Sequence, residues 1–199
     1  MRPDTEHESP LLPAKGELPA LSERVTSGVV PLDPESIVRL IGSTLRRLHD
    51  ASVDQEAAEV SLRARRELLD AQELRPTGEG PYGGRSGAEL LAIFDRQLAE
   101  LGESTEPSVV HGALTLDRCW AAPTGELYFT EWARSGAGDR HLDIAAIAAD
   151  IADHFGPAAV APLIDAYGFE HVRPARLDMC QLLNHLVESA QTETSDGAP

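Results

Sequence analysis

Five side chains in the middle of the chain carry the types and spacing that could do chemistry: His111, Glu131, Asp139, His141 and Asp143. Imidazoles and carboxylates in one stretch raise a metal site, yet no H-E-x-x-H pairing places two ligands on one helical face, and neither Cys119 nor Cys180 has metal-ligand spacing. A solitary His111 after an apolar pair is, by residue type alone, a structural hydrogen-bonding group. Asp139 precedes a helical stretch, where its charge would stabilise the helix dipole, and Asp150 and Asp153 read as that helix's solvated face. Gly78 to Gly83 spells G-x-G-x-x-G, but the segment before it is helical in pattern and Pro81 removes a backbone donor, so it reads as a loop rather than a phosphate cradle.

The elements that must position these groups are mostly helices. Asp33-Pro34-Glu35 is a helix start, with a capping carboxylate and a proline suited to the first turn; Ile37, Leu40, Ile41, Leu45 and Leu48 then form one apolar face. A second helix is predicted over about 54–73, and a third from about Ser86 to Glu100 with Leu90, Leu91, Phe94 and Leu98 inward. Val109-Val110 reads as a short buried strand. Cys119–Ala121 and Leu127–Thr130 flank Pro123-Thr124-Gly125 as a hairpin. Helices are expected again over about 140–154, 157–167 and 174–189. The expected domain covers 31–190, with an irregular, Pro- and Glu-rich segment over 1–30 and a polar tail over 191–199.

Composition narrows the classes. The 199 residues include 33 acidic and 17 basic side chains, a formal charge of −16. Such a surface repels nucleic acid and anionic lipid and favours solubility or cationic ligands. No stretch reads as a leader or a membrane span, so a cytoplasmic protein is expected. Lys15 is the sole lysine.

In order along the chain, Leu45-Arg46-Arg47-Leu48-His49, His111-Gly112-Ala113, residues 130–143 (TEWARSGAGDRHLD), the IAAIAADIADHFG run, Tyr167-Gly168 and the late Arg176-Leu177…Leu182-Leu183 helix resemble the C-terminal lobe of the aminoglycoside phosphotransferases, nearest the 3′-type enzymes. The resemblance spans roughly residues 33–188. It implies a mainly α fold with a small β hairpin: the helical C-terminal lobe of the protein-kinase-like fold, without the N-terminal β lobe. It places the family's catalytic Asp on Ala113, its magnesium-binding Asn on Arg118 and its second metal Asp on Glu131, leaving no catalytic position intact and Glu131 the one metal candidate. It makes Arg134, Asp150 and Asp153 candidates for substrate binding, and His111, Gly112, Asp139 and Asp143 the structural motif.

A methyl group cannot accept a proton, and a guanidinium repels a cation. Losing a general base alone costs typically ~10²–10⁴-fold in rate. The resemblance therefore implies a non-catalytic, phosphotransferase-derived binding protein with no cofactor, keeping an acidic groove for cationic, aminoglycoside-like ligands. Two alternatives stay open. One is a small-molecule phosphotransferase, using ATP and magnesium, completed by another chain and employing Asp117 as its base; the other is a scaffold with no small ligand. Apolar surface that the N-terminal lobe would cover implies a homo-oligomer or a partner protein.

Overall fold

The computed structural model describes residues 33–74, 81–121 and 126–191. Helix α1 (Pro34–His49) begins where its capping sequence requires: the Ser36 N–H donates to Asp33 Oδ1 at 3.0 Å. Ile37, Ile41 and Leu45 are buried, with Leu40 and Leu48 packed at the margin of the same cluster.

The second expected helix is the main departure. Glu59–Val60 forms a short strand, β1, and helix α2 covers only Leu62–Glu67. Ser61 interrupts the pattern by capping α2, accepting from the Ala64 N–H, while Glu103 takes the Ser61 hydroxyl and the Leu62 and Arg63 N–H groups. Leu68, read from the pattern as part of that helix, lies beyond it and is 72% exposed.

Helix α3 (Gly87–Leu101) opens on a reciprocal Ser86–Glu89 capping box. It buries Leu90, Phe94 and Leu98, while Leu91 is only half-buried. Strand β2 (Ser108–Val110) follows, one residue longer than the apolar pair. A 3₁₀ turn (Leu116–Arg118) leads into the hairpin β3 (Cys119–Ala121) and β4 (Leu127–Phe129), paired Cys119 to Phe129 and Ala121 to Leu127. The turn residues Pro123-Thr124-Gly125 lie outside the described residues, as do Gly78 to Gly80, Lys15, the segment 1–30 and the tail after Gln191.

After a second 3₁₀ turn (Trp132–Arg134) comes β5 (Gly136–Gly138), which sequence reading missed. It lies between β1, parallel, and β2, antiparallel. A side chain at Gly136 would collide with the Ala58 carbonyl, so the strand is written in glycine and alanine rather than the branched residues that signal strands.

Helix α4 (His141–Phe155) is the axle. Leu142 and Ala145 face one cluster with Leu62, Leu90, Phe94, Met179 and Leu183; Ile144, Ile147 and Ile151 face the other with α1, the hairpin, Leu163 and Tyr167. Helix α5 (Val160–Tyr167) packs on α1, and α6 (Pro174–Gln191) on α3 and α4. A helix apolar on both sides is read by its neighbours on both sides, which is why so little of α4 meets solvent. No helix among the described residues is long and apolar enough to cross a membrane.

Candidate functional site

The His111-Gly112 turn leaves β2 above the N-terminal end of α4, and Asp143 holds it there. The Asp143 carboxylate accepts from the His111 N–H at 2.6 Å, the Gly112 N–H at 2.8 Å and His49 Nε2 at 3.2 Å. His49 Nδ1 lies 2.8 Å from the Tyr167 hydroxyl, which Arg140 approaches from the other side at 3.5 Å. The directions are self-consistent: the guanidinium donates to the phenol, the phenol donates to Nδ1, and Nε2–H donates to the carboxylate. The L-x-x-L-H end of α1, the Tyr167-Gly168 step and the Asp143 position, separate motifs in the sequence, are thus one buried chain of hydrogen bonds.

Gly112 has φ +80°, and a Cβ there would run into the Arg134 carbonyl oxygen. The turn needs glycine for both reasons. Gly112→Ala is expected to cost about 2–3 kcal/mol, backbone strain plus collision; a urea midpoint indistinguishable from the parent's would show that the turn relaxes freely.

The His111 ring is fully buried, with Nε2 2.7 Å from the Thr130 carbonyl and its centroid 4.9 Å from that of the tilted Trp132 ring. Its Nδ1 has no hydrogen-bond partner among the described residues.

Beyond the turn stand Ala113, Arg118 and Glu131. Arg118 sends Nη1 to the Ala113 carbonyl and Nε to Glu131 Oε2, 3.3 Å away. Glu131 itself occupies a left-handed backbone conformation, φ +65°, which only a few per cent of non-glycine residues adopt. Asp117 is exposed beside Arg118.

Asp139 stands at the N-terminal end of α4 and has further partners besides the helix dipole. It is buried, and accepts from the His141 N–H at 2.9 Å, His141 Nδ1 at 2.7 Å and Arg176 Nε at 2.6 Å. Burial alone would raise its pKa; the His141 ring, the His141 N–H and the Arg176 charge outweigh that and hold it at about 2. The Arg173 N–H donates to His141 Nε2 at 2.9 Å, which leaves Nδ1 as the protonated nitrogen facing Asp139. Asp139 and Asp143 therefore serve separate networks, one clamping α6 and one clamping the turn. Among the described residues no three His, Cys, Asp or Glu side chains converge as ligands for one metal ion.

The substrate candidates divide. Asp150 is half committed to structure, accepting the Leu116 N–H at 2.6 Å and lying 3.1 Å from His154 Nδ1. Asp153 is exposed one turn on. Glu188 of α6, which sequence reading missed, joins them: its pKa is raised by burial and by the charges of Asp153 and Asp150. Asp150 and Asp153 thus act electrostatically on Glu188. Arg134 lines a cavity with Arg65.

No family sequence profile matches the chain, and no characterised protein matches it by sequence. The likeness lies in the fold. The chain has the fold of the C-terminal, mostly helical part of the kinase-like aminoglycoside phosphotransferases. It superposes on an aminoglycoside-3′-phosphotransferase of type VIII with a TM-score of 0.61 at 22% identity, covering 77% of this chain and 61% of that one. With the aminoglycoside phosphotransferase APH(3′′)-Id of Streptomyces rimosus the TM-score is 0.65 at 19% identity, covering 85% and 66%. With the choline kinase LicA of Streptococcus pneumoniae it is 0.61 at 16% identity, covering 92% and 61%. The chain therefore spans a little over three-fifths of the length of these enzymes.

Proposed function

We propose that the chain is a phosphotransferase-derived binding protein that does not transfer phosphoryl groups and takes a polycationic, aminoglycoside-like ligand on its acidic edge. The observation that carries this reading is the internal cation at the turn. Arg118 bridges the Ala113 carbonyl and Glu131, and the motif resemblance puts this guanidinium on the position where the family has a magnesium-binding Asn. Glu131, the carboxylate at the second metal position of the resemblance, is paired with Arg118. Such a donor set does not fit a magnesium–nucleotide complex, and Ala113 has no group to accept a substrate proton.

The ligand side rests on charge. Burial and the charges of Asp153 and Asp150 raise the cost of ionising Glu188, and a bound polyamine would lower it. Among the structural neighbours, the S. rimosus enzyme was captured with ADP and streptomycin, so this fold does hold an aminoglycoside in that protein. The reading in which another chain completes an active enzyme draws on the exposed Asp117 and Glu131.

Thermal-shift titration separates them. Aminoglycosides are expected to raise the melting temperature, by an amount that falls with added salt and falls again in Asp153→Asn/Glu188→Gln. Mg·ATP is expected to leave it unchanged, and Ala113→Asp to gain no kinase activity because Arg118 remains. ATP-dependent phosphorylation by that single variant would refute the account.

A further inference from the structure

A cavity of about 420 Å³ opens between α2 with its following turn and the C-terminal end of α6. That volume is in the range of small-molecule pockets. Its walls are Leu68 and Leu69 on one side and Val187 and Ala190 on the other, and its polar groups include two guanidiniums, Arg65 and Arg134. We infer that this cavity binds a small amphiphilic carboxylate, with the apolar tail between the leucines and α6 and the charge between Arg65 and Arg134.

The arginines are the reason for the sign. In a chain with 33 acidic and 17 basic side chains, an arginine ordinarily finds a carboxylate. Arg39, Arg46, Arg66, Arg118 and Arg176 all do. Among the described residues Arg65 and Arg134 do not; Arg47, Arg63, Arg96 and Arg173 share that lack, but only Arg65 and Arg134 line this cavity together. Arg65 spends one N–H on the Gly112 carbonyl at 2.5 Å, and the Arg134 side chain has no hydrogen bond or ion pair to another described residue.

The two also repel each other. Burial lowers the proton affinity of Arg65, the Asp143 charge opposes this, and Arg134 lowers it further. A carboxylate set between two planar guanidiniums relieves that repulsion with charge-assisted hydrogen bonds. The tail accounts for the other oddity of this face, a leucine that is 72% exposed at the rim. A phosphate without a tail would leave these walls wet, and a cationic ligand would meet two like charges. The inference goes beyond the function proposed above and does not rest on it, because it uses neither the acidic edge nor the lost phosphoryl-transfer groups.

The test is calorimetric titration of the full chain with octanoate, alongside acetate and octanamide. Saturable one-to-one binding of octanoate is expected, at least tenfold tighter than either control, since acetate lacks the tail and octanamide the charge. Arg134→Met is expected to weaken octanoate at least tenfold with an unchanged urea midpoint, because that side chain bonds to no other described residue. Equal binding of octanamide and octanoate overturns the proposal, as does an Arg134→Met variant that binds like the parent. A dimer that closes the cavity and persists in saturating octanoate also overturns it. Octanoate silence beside an intact aminoglycoside shift defeats this inference alone and leaves the proposed function standing.

Discussion

Asp143→Ala is expected to destabilise the domain by about 3–5 kcal/mol, the largest loss available from a single polar side chain near the turn. The carboxylate is fully buried and accepts three hydrogen bonds, two of them from backbone N–H groups that have no route to solvent. Each orphaned buried donor costs about 1–3 kcal/mol, and the cavity adds to it. His49 loses its acceptor as well, so the hydrogen bond to Tyr167 loses the partner that orients it. Asp143→Asn is the finer probe. The amide keeps the shape but offers one oxygen, and its NH₂ group must face at least one of three donors, so a loss of about half the alanine value is expected. Urea unfolding of the two variants measures this. A loss below about 1 kcal/mol for alanine would mean that the His111-Gly112 turn is held by something else.

This centre was legible in the sequence only as scattered residues. The ends of α1, α3, α4 and α6 follow from caps and apolar spacing, because those signals are local. The network around Asp143 is not local: it joins His49, His111 and Tyr167 from three elements, and only the order of motifs shared with a known family hinted that they meet. The same distinction explains the misread second helix. Ala, Leu, Arg and Glu favour helix over 54–73, yet Glu59–Val60 are drawn into a strand by pairing with Ala137 and Gly138, far along the chain. Those partners, in turn, are small residues whose pattern announces a loop. Glu188 and Arg65 went unnoticed because charge on a helix is ordinarily solvated; only the fold shows that one joins Asp150 and Asp153 while the other faces Arg134 over an apolar cavity.

Arg176 gives the second large expected effect, with a pH signature of its own. Its guanidinium lies 2.5–2.6 Å from Asp139 and also donates to the Leu101 and Gly102 carbonyls at 3.1 and 3.2 Å, tying the start of α6 to the end of α3. Arg176→Met leaves a buried carboxylate without its cation and two carbonyls without a donor, for an expected loss of about 3–5 kcal/mol at neutral pH. The parent's acid sensitivity follows from the same pair. Asp139 binds its proton more weakly folded than unfolded, with a pKa of about 2 against an ordinary 3.8. Stability from this group is therefore complete above about pH 4 and fades as the pH falls from about 4 to 2, by about 2 kcal/mol at 1.4 kcal/mol per tenfold change in proton affinity. Removing the guanidinium raises the folded pKa, so Arg176→Met should lose less on acidification than the parent. The gap between the two curves of unfolding free energy against pH should narrow by up to about 2 kcal/mol between pH 4 and pH 2, leaving the part due to the two carbonyls. Parallel curves would show that His141 and its N–H, rather than Arg176, set the affinity of Asp139 for its proton.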